Sequence, residues 1–297
     1  STASGDVNIS VSGTGNISLL AAITTTGATH SAGNASDGGD VIISTNNGTV
    51  TTAAITASGG NATGGNGGAS GDVDITAGTT GTLSINGAIT ARAGTGGTPG
   101  ADGDLTLDNA GTLTQTSAIN VGGLELLGAG AVTLTDGANN IDTIAGNTTN
   151  TITYTDSNGF DVDTIGTNTS LTSTNNIILT ATTGDLLVAA GANNTTEKLV
   201  TSGSGNITLT AVAGDVDLDD FSIRIVDGVL SIDAFGDITV ANATANEEID
   251  SSGDITLTGG NIGSGANSLD ITGDGGGDRT LLVKAEEQGT NDTINID

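Results

Sequence analysis

Carboxylates are the side chains of this sequence whose spacing points most directly to chemistry. The run GDVDLDDF at 214–221 places Asp215, Asp217 and Asp219 at alternate positions, with Asp220 next to them. On a strand, alternate side chains share a face and lie about 7 Å apart. Ca²⁺ takes six to eight oxygen ligands, so this face is a candidate calcium site that a neighbouring segment has to complete.

Asp274 and Asp278 form a second candidate, in the segment TGDGGGDRT at 272–280. This segment is similar to glycine-rich calcium-binding nonapeptides but does not match them. The alternative is that all six carboxylates are solvated acids of turns and strand faces, since Gly-Asp pairs are common in turns. Calcium is therefore the one cofactor that the sequence suggests.

The residues that nucleophilic or glycosidic catalysis needs are scarce. His30, in the loop GATHSAG, is the one histidine of the chain, so a Ser-His-Asp triad is not predicted. Polysaccharide-active enzymes pair carboxylic acids at defined separations, and their sugar subsites favour aromatic rings. Tyr154 and Phe160 flank a turn, where we expect local packing. We predict no catalytic residue and no enzymatic activity, with a polysaccharide-active β-helix enzyme as an alternative.

The charge of the chain restricts its partners. It carries 34 acids and five bases, which gives a net charge of −29, and it has no cysteine. Nucleic acids are excluded as partners because phosphate binding needs clustered Lys and Arg. The longest apolar run, Ile17–Ile23, is too short to span a bilayer, so no membrane insertion is expected. The charge instead fits a self-repelling surface exposed to salt.

A repeated phrase organises the first 120 residues. It opens with a Gly-Asp pair at Gly5, Gly39, Gly71 and Gly103. A glycine-led phrase and then an Ala-Ile pair follow in each unit. In GDVDIT, apolar Val73 and Ile75 alternate with polar residues, which is the period of a strand with one buried face. Each unit is therefore predicted to contain three short strands, two tight turns and a longer connection.

The likeness of successive units decides the predicted topology. If each unit is one coil, equivalent strands stack in parallel about 4.8 Å apart. The predicted fold is an all-β, single-stranded parallel β-helix, or solenoid, with three short strands per coil. An antiparallel sandwich competes, but it does not require like strands in the same order. Disorder, which glycine and net charge favour, conflicts with the regular alternation of aliphatic residues.

One continuous solenoid is predicted over 1–297. Residues 1–120 form four repeats of about 32 residues, with glycine-rich surface loops at 24–38, 56–70 and 91–102. Residues 121–183 form irregular coils, and residues 184–297 form acidic coils with short turns. The chain opens STASGDVNIS without a methionine, and we expect it to be a mature or excised piece.

Two kinds of motif suggest a family. One is the unit GDVxIT…GTLxxxGAIT with glycine-rich loops, and the other is the run NNIDTIAGNTTNTITYTDSNGFDVDTIG followed by NNIILTATTGDLLV. Together they resemble secreted bacterial exoproteins related to filamentous haemagglutinin, over nearly the whole chain. The resemblance implies a right-handed β-helical shaft of a long adhesin-like protein that is secreted and displayed on the bacterial cell surface.

The expected function is therefore a structural and adhesive shaft of a secreted adhesin or extracellular filament. Expected partners are other copies stacked end to end or the rest of a longer parent chain, together with cell-surface or matrix components. The glycine-rich loops are the expected contact surfaces. One alternative is a glycan- or calcium-binding module on the acidic half. Another is an ice-binding solenoid, because Thr208 and Thr210 of GNITLT face outward on a predicted strand.

Overall fold

The structure, a computed structural model, describes residues 4–191, 197–240, 248–263, 267–272, 279–285 and 293–296. The regular structure in these residues is β-strand, and the strands pair in parallel in stacked order. The fold is an all-β parallel β-solenoid, as predicted. The described residues contain no helix of the length and hydropathy that crossing a membrane requires.

The chain divides into two compact regions, which we name region 1 (Ser1–Asp142) and region 2 (Thr143–Asp297). The three sequence segments 1–120, 121–183 and 184–297 do not coincide with this division. The single continuous solenoid over 1–297 stays a prediction, as does the right-handed coiling that the resemblance implies.

Region 1 is built from three parallel sheets. Its strands are β1 (Val7–Val11), β2 (Ile17–Ser18), β3 (Ile23–Thr24), β4 (Val41–Thr45), β5 (Val50–Thr52), β6 (Ile55–Thr56), β7 (Val73–Ala77), β8 (Leu83–Ile85), β9 (Ile89–Ala91), β10 (Asp104–Asn109), β11 (Leu113–Gln115), β12 (Ile119–Val121), β13 (Gly123–Gly128) and β14 (Val132–Leu134). The sheet orders are β1-β4-β7-β10-β13, β2-β5-β8-β11-β14 and β3-β6-β9-β12. Each of the first four coils therefore contributes one strand to each sheet.

Like residues stack in register along region 1. Val41 pairs with Val7 on one side and Val73 on the other, and Val73 pairs with Leu105. Val41, Val73 and Leu105 have no exposed surface. Side chains alternate across a strand, so every second side chain of these strands points into the core and the side chains between them face solvent. Aliphatic side chains of similar size thus fill a narrow core without aromatic rings.

The glycine-rich loops of region 1 are hydrogen-bonded layers. Each loop has an outgoing arm and a returning arm. The Gly27 N–H donates to the Ser58 carbonyl of the next coil (2.9 Å), and the Gly59 N–H donates to the Arg92 carbonyl of the coil after (3.0 Å). The arms therefore stack from coil to coil as the strands do.

The two arms of a loop also bond to each other. In the second loop the Gly71 N–H donates to the Ala57 carbonyl (2.8 Å), and the Gly68 N–H donates to the Gly60 carbonyl (2.9 Å). These bonds recur at every third residue. A period of three residues is that of the polyproline II helix, which satisfies its backbone groups only through neighbours. The loops are thus a second, non-β layer of stacked backbone.

Glycine makes this layer sterically feasible. A Cβ atom on Gly94 would lie 1.8 Å from the Gly60 carbonyl oxygen, and one on Gly68 would lie 1.9 Å from the Ser36 carbonyl oxygen. No side chain fits at such a separation, so the glycines permit close backbone approach. Their abundance reflects packing between arms.

Region 2 uses a different arrangement of three strand columns. Its strands are β15 (Thr143–Thr148), β16 (Ile152–Asp156), β17 (Phe160–Val162), β18 (Leu171–Ser173), β19 (Ile177–Ala181), β20 (Leu186–Val188), β21 (Leu199–Thr201), β22 (Ile207–Ala211), β23 (Val216–Leu218), β24 (Ile223–Ile225), β25 (Leu230–Ala234), β26 (Ile238–Val240), β27 (Ile249–Ser251), β28 (Ile255–Gly259), β29 (Ile271–Thr272) and β30 (Leu281–Ala285). The columns run β16-β19-β22-β25-β28-β30, β17-β20-β23-β26 and β18-β21-β24-β27-β29.

Two of these columns originate from one strand. The first half of β15 pairs with β17, where Ile144 lies opposite Val162, and its second half pairs with β18, where Gly146 lies opposite Leu171. Gly146 has a φ of 145°, a backbone conformation that favours glycine. The division of β15 defines the corner between these two columns, where the buried ionisable groups of region 2 lie.

Candidate functional site

The repeated Gly-Asp pairs of region 1 form a hydrogen-bonded ladder. Asp6 Oδ1 accepts the Asp40 N–H (3.0 Å), Asp40 Oδ1 accepts the Asp72 N–H (2.9 Å), and Asp72 Oδ1 accepts the Asp104 N–H (2.9 Å). Each carboxylate thus bonds to the backbone of the equivalent residue one coil on. A charged acceptor makes such bonds stronger than neutral ones. We call this column, and its counterpart in region 2, the Asx ladder.

Region 2 repeats the ladder with unequal coil lengths. Asp185 Oδ1 accepts the Asp215 N–H (2.9 Å), Asp215 Oδ1 accepts the Asp237 N–H (2.8 Å), and Asp237 Oδ1 accepts the Asn261 N–H (2.7 Å). These partners are 30, 22 and 24 residues apart in the sequence. In region 1, Asp40, Asp72 and Asp104 are spaced by 32 residues. The bond therefore follows the position in the coil and not the spacing in the sequence.

The glycine of each pair has its own steric cause. A Cβ atom on Gly71 would lie 2.3 Å from the Gly39 carbonyl oxygen, and one on Gly214 would lie 2.1 Å from the Gly184 carbonyl oxygen. Glycine lets the turn backbones stack, and the following Asp supplies the acceptor. The Gly-Asp phrase is therefore explained by coil stacking.

Of the predicted calcium ligands, Asp217 lies within a strand, and Asp215 and Asp219 lie on either side of it. The strand β23 covers Val216–Leu218, so Asp215 directly precedes it and Asp219 directly follows it. Asp217 Oδ1 accepts the hydroxyl of Thr239. Burial raises the pKa of Asp217, and the charges of Asp185 and Asp215 add to this rise, although the Thr239 hydrogen bond opposes it.

Asp219 and Asp220 belong to a tight, locally bonded turn. Asp219 Oδ1 accepts the Asp220 N–H (2.9 Å), and Ser222 Oγ accepts the Asp219 N–H (2.7 Å). Ser222 Oγ also donates to the Val188 carbonyl (3.1 Å) of the previous coil. Phe221 has a φ of 54°, which is unusual for a residue with a side chain. Asp219 is thus engaged in holding this turn.

The structure does not assemble a metal centre from the described residues. Within the ranges described above, no group of three or more His, Asp or Glu side chains is placed to hold a metal ion. Asp274 and Asp278 lie outside the described residues, so calcium binding at 272–280 stays a prediction.

A buried acidic corner of region 2 was not predicted from the sequence. One column of region 2 stacks in register through Leu199, Ile223, Ile249 and Ile271. The residues that precede them are therefore aligned as well, namely Lys198, Ser222, Glu248 and Asp270. Glu248 is 1% exposed, and its Oε2 accepts the Asp270 N–H (2.6 Å). Burial raises the pKa of Glu248 to about 7, and the charges of Asp270 and Asp220 add to the rise.

Lys198 is a buried cation of this corner. It is 8% exposed, and its Nζ donates to Asp163 Oδ1 (2.6 Å) and to Thr164 Oγ1 (2.8 Å). Burial favours the neutral acid at Asp163, but the Lys198 ammonium outweighs it and lowers the pKa of Asp163. The corner therefore favours the anionic form of Asp163 and the protonated form of Glu248.

In region 1 the corresponding cation is Arg92, on the outgoing arm of the third glycine-rich loop. Its guanidinium donates to Asp102 Oδ2 (2.9 Å), Asp142 Oδ2 (2.7 Å) and Asn120 Oδ1 (2.7 Å). It also donates to the Asn140 carbonyl (2.8 Å). Arg92 therefore ties the last glycine-rich layer to the coils beyond it.

The remaining candidates have structural positions. Tyr154 is fully buried, its ring lies 5.3 Å from that of Phe160 in an edge-to-face arrangement at 87°, and its hydroxyl donates to Asp156 Oδ2 (2.5 Å). The predicted local packing is confirmed. His30 forms a parallel backbone bridge with Ala62 of the next loop.

The outward threonines form mixed columns. Thr208 lies between Ile178 and Ser231, and Thr210 lies between Thr180 and Asp233. The columns contain an aliphatic and an acidic side chain and are not a uniform threonine array, so ice binding gains no support from them.

Comparisons of the chain with protein-family models, with curated proteins and with solved structures find no match. The likeness to exoproteins related to filamentous haemagglutinin therefore stays a prediction from sequence motifs.

Proposed function

We propose that the chain is the structural and adhesive shaft of a secreted, surface-exposed bacterial adhesin or extracellular filament. The observation that carries this proposal is the Asx ladder in both regions. The most abundant acidic motif of the chain bonds one coil to the next, as a scaffold requires. The shaft motifs of the sequence point in the same direction.

The adhesive contacts are proposed for the glycine-rich layers at 24–38, 56–70 and 91–102. The 56–70 segment has no charged residue, in a chain whose net charge is −29. Mutual repulsion is weakest at such a surface, which favours close approach of another copy or of a cell-surface component. The stacked arms present this surface on a hydrogen-bonded backbone.

Localisation is the first test of this proposal. Antiserum raised against residues 1–297 is applied to intact and to permeabilised cells of the source organism, with a cytoplasmic enzyme as the marker of lysis. We expect labelling of intact cells that external protease removes. Labelling that appears only after permeabilisation would rule out a surface shaft.

A coil deletion tests the scaffold role itself. Val41 and Val73 occupy the same position in successive coils, so deletion of 41–72 removes one coil and joins Asp40 to Val73 in register. We expect this variant to fold and to reach the surface, with weaker adhesion because the deletion also removes the 56–70 layer. Deletion of 41–56 removes half a coil and is the matched control, which we expect to misfold. A whole-coil variant that misfolds as the half-coil control does would contradict a repetitive scaffold.

The alternative function is a calcium-binding module whose site lies in the acidic half of the chain. Thermal melting of the chain in millimolar Ca²⁺ and in chelator distinguishes this function from the shaft role. A clear rise of the melting temperature with Ca²⁺ would favour the alternative, because a ligand that binds the folded state stabilises it.

A further inference from the structure

A polar groove on region 1 crosses three successive coils. It lies beside β4, β7 and β10 on their solvent face and is separate from the glycine-rich layers. The side chains that the argument uses are Ser44, Asn46, Asn47, Thr76, Thr79 and Asp108. Ser44 pairs with Thr76 and Thr76 pairs with Asp108 in register, so these three side chains form one column with a spacing of about 4.8 Å.

The groove has a cause in the sequence. Three residues, 78–80, separate Ala77 from Gly81 in the turn after β7, whereas residue 110 alone separates Asn109 from Gly111 in the turn after β10. The shorter turn leaves a step beside the longer ones, and Ala110 lies at this step. Asn46, Asn47 and Thr79 of the longer turns form the opposite wall.

Free hydrogen-bonding groups converge on this step. In the described part of the chain, the side chains of Asn46, Thr76 and Asp108 have no hydrogen-bond partner. Thr79 donates to Asn47 Oδ1 and Ser44 donates to Ser10 Oγ (3.1 Å), so the remaining polar groups are partly engaged and fixed in place. An amide, a hydroxyl and a carboxylate from three coils thus face one groove.

The chemistry of the lining selects the class of ligand. Among the described residues, no cation lines the groove, so nothing offsets the charge of an anionic ligand. Asp108 is the one acid of this lining, which is too few for a calcium site. The same lining has no aromatic or large aliphatic side chain, so an apolar ligand gains little, and a sugar would be held here by hydrogen bonds without the aromatic ring that many sugar subsites have. We propose that the groove binds a neutral, linear oligosaccharide, whose hydroxyls donate to Asp108 and exchange hydrogen bonds with Asn46 and Thr76.

Saturation-transfer difference NMR on the whole chain tests this assignment. The probes are maltotetraose, cellotetraose, mannotetraose and chitotetraose, with tetragalacturonate as the anionic comparison. We expect saturation transfer to at least one neutral tetramer and none to tetragalacturonate. Absence of transfer to all four neutral sugars, or preferential binding of the anionic one, would overturn the proposal.

Variants locate the site. Asp108→Ala is expected to weaken binding of the best probe about tenfold or more, since it removes a charged acceptor, and Thr76→Val by several-fold. Thr114→Val is the matched control, because Thr114 is an exposed outward residue of the second sheet and does not line the groove. Circular dichroism confirms that each variant folds. Unchanged binding in a folded Asp108→Ala, Thr76→Val double variant would overturn the proposal, and would leave the proposed shaft role intact.

Discussion

Regions 1 and 2 connect successive coils with the same ladder but fill their corners differently. In region 1 the carboxylates of Asp40 and Asp72 bond coils of nearly constant length, and glycine-rich arms form an additional layer. In region 2 Asp185 and Asp215 bond coils of unequal length, and a corner contains the buried Glu248. The ladder therefore does not require a constant repeat length.

This difference separates two roles within one coil. The ladder and the strand columns fix how coils stack, because their hydrogen bonds join equivalent positions. The corner between two columns is free to hold a glycine layer or buried ions, since it only has to return the chain to the next column. Stability should accordingly respond to steric changes at the corner of region 1 and to chemical changes at the corner of region 2.

The largest effect is expected for a methyl group in the glycine layer. Gly94→Ala places a Cβ atom 1.8 Å from the Gly60 carbonyl oxygen, so the arms have to separate. We expect a loss of about 3 kcal/mol or more in the free energy of unfolding. Urea denaturation measures this loss. The backbone amides of 57–71, but not those of 207–234, should lose protection against hydrogen exchange.

Gly97→Ala is the matched control, because its Cβ atom would meet its nearest neighbour at 3.6 Å. It should change the stability by less than about 0.5 kcal/mol. Equal effects of the two substitutions would show that the arms are not packed against each other.

Tyr154→Phe should produce the next largest effect, in region 2. The substitution keeps the edge-to-face contact with Phe160 but removes the hydrogen bond to the fully buried Asp156. Leaving a buried carboxyl acceptor with one donor fewer should cost about 2 kcal/mol. A double-mutant cycle with Asp156→Ala, which removes both carboxylate oxygens, measures the coupling. Coupling near zero would mean that the hydroxyl contributes nothing beyond packing.

The acidic corner should make region 2 sensitive to pH. The pKa of Glu248 is raised from 4.5 to about 7 in the folded chain, so the folded state binds this proton more tightly than the unfolded state. Its contribution to the stability is fully present below pH 4.5 and is lost as the pH rises through 7. Urea denaturation between about pH 5 and 8 measures this slope.

Glu248→Gln should flatten this slope, since the amide imitates the neutral acid. Glu125→Gln in region 1 is the matched control and should keep most of the slope, because the charge of Glu125 makes only a minor contribution to the raised pKa of Asp74 and Asp104. Burial also raises the pKa of Asp74 and Asp104, so a shallower residual slope of the same sign is expected in the Glu248→Gln variant. A Glu248→Gln variant that keeps the full slope would refute the role of this corner.

The smallest effect concerns the ladder that the regions share. Asp72→Ala and Asp215→Ala each remove one acceptor from a backbone N–H, which should cost about 1 kcal/mol in either region. Asp72→Asn and Asp215→Asn keep an acceptor oxygen and should cost less, as Asn261 already serves in the ladder and accepts the Thr293 N–H (3.0 Å). Thermal denaturation compares the four variants. Clearly different costs in the two regions would mean that the ladders are not equivalent.

Local periodicity made most of the fold predictable from the sequence. Alternation in GDVDIT and recurrence of the Gly-Asp pair predicted the strands, their parallel stacking and the register of Val41 on Val73. The glycine layers were not predicted, because their hydrogen bonds join residues of different coils and leave no local pattern apart from glycine content. Tyr154 and Phe160 were placed correctly from their positions on either side of a turn.

The acidic corner was harder to predict from the sequence than the strands and their stacking. Glu248 and Asp270 come together because β15 divides into two columns, and coils of unequal length hide that alignment. For the calcium candidates, the number of carboxylates was clear, but the sequence did not show that Asp215 already accepts a backbone N–H. Composition alone cannot distinguish a carboxylate that is free to bind a metal ion from one that already accepts a hydrogen bond.

The direction of the ladder has a consequence for biogenesis. In both parts of the Asx ladder, the earlier coil supplies the carboxylate oxygen and the later coil supplies the N–H. A completed coil is therefore a template with vacant acceptors for the segment that emerges next. A chain that is synthesised from its N-terminus can therefore add coils one at a time, each on the acceptors of the coil before it.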